Sequence, residues 1–85
     1  MISFEEYQLL DKLLQAQLLK LDGIHLMFRK TAKVTVELFS LYSFYVEVYF
    51  NKADNEPLYC KSFESGKNLN VYLESIISMT FLNVN

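Results

Sequence analysis

The chain has 85 residues, 52% of them hydrophobic and 21% charged, with 10 acidic side chains against 8 basic ones. That composition argues against intrinsic disorder. A net charge of −2 argues against a general nucleic-acid binder, which needs a basic surface to displace counterions. One domain, residues 1–85, is the ceiling at this length, and folding it hides roughly two-thirds of the unfolded surface, enough for one thin core.

A single cysteine, Cys60, rules out an intramolecular disulfide and a C4 or C2H2 zinc site. The start, Met-Ile-Ser-Phe-Glu-Glu, lacks the basic segment of a signal peptide. The apolar stretch Val34 to Phe50 is interrupted by Glu37 and Glu47, so no membrane span is expected there. A reducing cytoplasm is the expected compartment.

Ser3 and Glu6 have the spacing of a capping box. Tyr7, Leu10, Leu14, Leu18 and Leu21 then recur at helical spacing, and Leu9 and Leu13 widen the stripe. A first helix is expected over about residues 4–21, ended by Gly23 in a left-handed cap. The stripe is wider than a coiled-coil seam, so core packing is its expected role.

Beyond Gly23 the period becomes two. Ile24, Leu26 and Phe28 alternate with His25, Met27 and Arg29; Val34, Val36 and Leu38 with Thr35, Glu37 and Phe39. Phe44, Val46, Val48 and Phe50 alternate with Tyr45, Glu47 and Tyr49; Leu58, Cys60 and Ser62 with Tyr59, Lys61 and Phe63. Arg29, Lys30 and Lys33 read as charges solvating a hairpin tip. Lys52 to Pro57 is the plainest turn. Four short strands with short connections imply antiparallel hairpins. Asn68 then caps a second amphipathic stretch, Leu69, Tyr72, Leu73, Ile76 and Ile77, and the tail Phe81 to Asn85 either continues that helix or packs loosely.

Burial of one sheet face selects the pairing. Matching apolar faces sets Phe28 opposite Val34, Leu26 opposite Val36 and Ile24 opposite Leu38. It sets Val36 opposite Val48 and Leu38 opposite Val46. It also sets Phe50 opposite Leu58 and Val48 opposite Cys60. The expected fold is a two-layer α+β domain of order α-β-β-β-β-α. Its four-stranded antiparallel meander carries an N-terminal and a C-terminal helix on one face.

The other face would then hold His25, Met27, Glu37, Phe39, Tyr45, Glu47, Tyr49, Tyr59, Lys61 and Phe63. Aromatic and Met enrichment is the composition of an interface core, although aromatic cross-strand pairs also stabilise short sheets. Within that face Glu37 and Glu47 would be cross-strand neighbours, flanked by His25 and Lys61. Such a pair can serve acid–base chemistry, but a ladder of compensated charges is the plainer reading. His25 beside two carboxylates lacks the spacing of a metal site. Cys60 falls on the core side, away from the only histidine, so a nucleophilic role is not expected. With only two glycines there is no phosphate-binding loop.

The segment Leu38 to Asn51, LFSLYSFYVEVYFN, resembles a family of small uncharacterised bacterial α+β proteins with a pattern similar to LYSL..FFVEV.YN after a short N-terminal helix. Phe39 stands where that pattern has Tyr. The resemblance implies a small stand-alone α+β protein and assigns no residue a role.

The expected function is a non-catalytic interaction protein without a cofactor or metal. It would form a homodimer, or bind another protein, through the aromatic face. The alternative is a small-molecule binding protein using the same face, with Glu37 and Glu47 as polar anchors. An enzyme built on that glutamate pair is a third reading.

Overall fold

The computed structural model describes residues 1–64 together with Leu69 and Tyr72. Within them the chain runs α1 (Phe4–Leu9), α2 (Lys12–Asp22), β1 (Ile24–Lys30), β2 (Val34–Leu41), β3 (Phe44–Asn51) and β4 (Pro57–Phe63). The strands form one antiparallel sheet in the order β1-β2-β3-β4, so the class is α+β. Among the described residues no helix is long and apolar enough to cross a membrane.

The Ser3–Glu6 capping box forms, each side chain bonding the other's backbone N–H. The single expected helix is two. Leu10 turns extended, and the Asp11 carboxylate accepts the Leu14 N–H at 2.9 Å, starting α2 afresh. The elbow is held from both sides. Tyr7 OH donates to the Gln15 carbonyl at 3.2 Å, and Gln15 Nε2 donates to the Tyr7 carbonyl at 2.8 Å.

The break rolls α2 away from the expected orientation. Leu10, Leu18 and Leu19 pack on the core, while Leu9, Leu13, Leu14 and Leu21 stay exposed. Gly23 is also not in a left-handed cap; its φ of −70° is ordinary extended backbone. Glycine is needed there for space, because a Cβ would run into the Leu19 carbonyl oxygen and lie 2.9 Å from Leu19 Cδ1.

Strand pairing departs from the face-matched registers. Only Tyr42 and Ser43 join β2 to β3, so Leu41 sits opposite Phe44, Val36 opposite Tyr49 and Leu38 opposite Glu47. This is a one-residue slip from the expected pairing, and it sends the apolar sets of the two strands to opposite faces. Tyr42 takes φ 55° to close the turn, and its hydroxyl donates to Asp22 at 2.5 Å. In β1 a bulge after His25 leaves Leu26 without a partner and turns Met27 and Arg29 onto the face opposite His25. Val48 does pair with Cys60, as expected, but a second bulge puts Pro57 rather than Leu58 opposite Phe50.

Both sheet faces are therefore covered. On one, Leu41, Phe44, Val46 and Val48 meet Tyr7 of α1, with Leu18 and Leu19 of α2 beside them. On the other, Leu38 and Phe63 meet Tyr72 and Leu69. The expected C-terminal helix lies otherwise outside the described residues. Its first two apolar positions, Leu69 and Tyr72, sit on the face opposite α1 and α2, not on the same one.

The crowding at Gly23 gives a test. Gly23→Ala should lower stability by about 1–3 kcal/mol, read as a fall in the urea midpoint at unchanged slope, because the clash is with backbone and cannot be relieved by a rotamer change.

Candidate functional site

The slipped register divides the ten residues expected on one face. Met27, Tyr45, Glu47, Tyr49, Tyr59, Lys61 and Phe63 remain together on the Tyr72 face, while His25, Glu37 and Phe39 lie on the helix face. Glu37 pairs with Val48 and Glu47 with Leu38, so the two glutamates are on opposite sides of the sheet. The acid–base pair and the pair of ligand anchors expected from sequence therefore have no shared site. Among the described residues no three His, Cys, Asp or Glu side chains group as a metal site.

Each half of the expected charge row finds its own partner. His25 Nε2 lies 3.0 Å from Glu37 Oε1, with both side chains more than one-third exposed, a setting in which ion pairs contribute little. Glu47 lies directly across from Lys61 on the other face.

Among the described residues Glu47 is the one buried charged side chain, 6% exposed, and a buried carboxylate must be matched. Tyr72 OH donates to Glu47 Oε2 at 2.5 Å, Tyr49 OH to Oε1 at 3.4 Å, and Arg29 Nη2 lies 3.6 Å from Oε2. Arg29 also stacks its guanidinium over the Tyr72 ring at 5.5 Å. Its buried Nε has no hydrogen-bond partner among the described residues. Tyr49 stacks on Tyr59 with ring centroids 4.4 Å apart, and the Lys61 ammonium lies over both rings. Tyr45 stacks on Phe63. Arg29 is thus no hairpin-tip charge. It and Tyr72 are the two members of this cluster that sequence reasoning missed, since the bulge that turns Arg29 inward has no glycine to mark it.

On the aromatic face Tyr72 and Leu69 pack against Leu38 and Phe63, and of the seven residues grouped there Tyr59 and Lys61 are exposed. An open concavity lies on the other face. A cavity of about 590 Å³ lies between α2 and the sheet. Tyr7, Lys12, Gln15, Ala16, Leu19 and Lys20 line the helical side, and Phe39, Val48, Phe50, Pro57, Leu58, Tyr59 and Cys60 the sheet side. It exists because α2 turns Ala16, not a leucine, toward β3 and β4. Cys60 shares the helix face with Val48 as expected, but it is exposed to this cavity and not packed in the core. Partial burial pushes its thiol above the ordinary value, and Lys12 offsets part of that rise.

No protein-family model, curated protein or solved structure matches this chain at a significant level.

The Glu47 cluster makes two predictions. Tyr72→Phe should cost about 1–2 kcal/mol by removing a hydrogen bond to a buried carboxylate. Arg29→Met should cost about 2–3 kcal/mol by leaving that carboxylate without its cation. Both are read by urea unfolding, and a neutral result for Arg29→Met would show that Glu47 does not depend on it.

A further prediction concerns alkaline pH. Burial pushes Tyr7 up to about 12 and raises Tyr49 and Tyr72, the last also held neutral by its bond to Glu47. A raised folded-state value means that the stability from these neutral phenols is whole below about pH 10. It is lost as pH climbs through about 12, where the folded Tyr7 ionises. The urea midpoint should fall steadily above about pH 10, and less steeply in Tyr7→Phe.

Proposed function

We propose that the chain is a non-catalytic binding protein that holds a small, largely apolar molecule between α2 and the sheet. The cavity carries this reading: at about 590 Å³ it lies within the range of small-molecule sites. Its walls are mostly aromatic and aliphatic, and the one side-chain amide there, Gln15, is already bonded to Tyr7. The cavity lies on the face opposite Glu47, and neither Glu37 nor Glu47 is among its walls.

A solvatochromic neutral dye, Nile red, tests it. The full chain should bind the dye with a rise in fluorescence, and Ala16→Phe, which fills the cavity, should weaken binding about tenfold or more. Undiminished dye binding by a folded Ala16→Phe chain would sink the reading.

The outer side of α2 favours a second reading, self-association. Leu13, Leu14 and Leu21 are 68%, 45% and 78% exposed. Leu14 and Leu21 are separated by one heptad, the spacing of a helix–helix seam. Two-fold pairing is the commonest assembly, and we propose α2, in place of the aromatic face, as the surface for it. The native chain should scatter light as a dimer across an approximately tenfold dilution, and Leu14→Glu with Leu21→Glu as a monomer. A native monomer, or a variant that stays dimeric, removes this surface.

A further inference from the structure

We infer that the cavity under α2 takes an amphiphile with one apolar chain and an anionic head, of the kind a medium-length fatty acid supplies. The inference rests on the binding reading above and adds the class of ligand.

Charge selects the head. Among the described residues no acidic side chain lines the cavity, and the only charged ones that do are Lys12 and Lys20. Lys12, Ala16 and Lys20 follow at four-residue steps, so they share one side of α2. Both lysines are exposed. Their ammonium groups therefore stay in water at the mouth while their aliphatic stems frame it. A carboxylate seated there meets two cations and, among the described residues of the wall, no competing acid. A cationic head would meet two like charges.

The interior selects the tail. Ala16 leaves the space between the lysines unfilled, and the floor is Phe39, Val48 and Phe50. These side chains offer a polar group no hydrogen bond, so the inner end of the ligand must be hydrocarbon. The exposed leucines of α2, Leu13, Leu14 and Leu21, are not among the walls, so the two surfaces do not compete.

Cys60 reports on filling, because it is the only cysteine and it lies in the wall. The measurement is the rate at which iodoacetamide alkylates Cys60 in the full chain, followed by mass. It is repeated with decanoate, decanol or decyltrimethylammonium, each below its micellar concentration. Decanoate should slow alkylation about tenfold when its concentration is about ten times its dissociation constant. Decanol should need a higher concentration, and the cationic amphiphile should give no protection. Lys12→Gln with Lys20→Gln should bring decanoate down to the level of decanol. Equal protection by all three probes overturns the anionic class and leaves the cavity reading in place. Protection by none overturns both. Ala16→Phe should lose the protection; if that variant fails to fold, the comparison of head groups on the native chain still decides.

Discussion

Only Tyr42 and Ser43 are available to carry the chain from β2 to β3, and the rest of the fold inherits that constraint. A two-residue connection leaves one choice of opposing pair, Leu41 with Phe44, and each later pair follows from it. Phe44, Val46 and Val48 are thereby turned toward Tyr7 and α2, and Leu38, Glu47 and Tyr49 toward Tyr72. The tyrosine at φ 55° is costly, of order 1 kcal/mol for a residue with a side chain. Its hydroxyl bond to Asp22 at the end of α2 and its edge contact with Phe44 offset that cost. The same contacts tie the hairpin to the helix it must lie under.

Covering both faces of so small a sheet has a consequence for Glu47. On a half-solvated sheet this side chain would point to water. Here it is buried and has to be matched within the protein. Arg29 reaches it only because β1 is bulged at Leu26; a regular strand would turn Arg29 to the other face. Bulge, arginine and carboxylate therefore form one arrangement with Tyr72, and each would be unfavourable without the others. Directional bonds to one buried carboxylate also fix where Tyr72 sits more narrowly than apolar contact with Leu38 and Phe63 would.

Local signals with a single physical cause were legible in the sequence. The Ser3–Glu6 box, the turn from Lys52 and the four alternating strands all have short-range origins, and all form. Face assignment was not legible. It rests on one apolar phase per strand, yet both phases of β2 and β3 carry large apolar or aromatic residues, the odd-numbered phase of each strand also holding its one glutamate. Hydrophobic matching then barely separates registers one residue apart, and turn length decides. The helix break was written in Asp11, a good N-cap three residues before Leu14, but the leucine stripe runs across it without a gap. Most of the aromatic set stays together despite the slip, because Tyr45, Glu47, Tyr49, Tyr59 and Phe63 belong to β3 and β4, whose mutual register matches the expected one along most of its length.

The roll of α2 is what separates a protein with a filled core from one with an open site. A leucine-rich helix laid flat on an apolar sheet would ordinarily bury its widest stripe. Here the reciprocal Tyr7–Gln15 bonds fix the elbow, and the chain must then reach β1 through Gly23, which packs tightly against Leu19. With both ends set, the side of α2 that faces β3 and β4 is Lys12, Gln15, Ala16, Leu19 and Lys20. Only Leu19 in that set is a large apolar residue, so the gap beneath is not filled. The exposed leucines and the apolar cavity are two results of one rotation: each leucine turned outward to Leu13, Leu14 or Leu21 is one fewer to close the space under the helix.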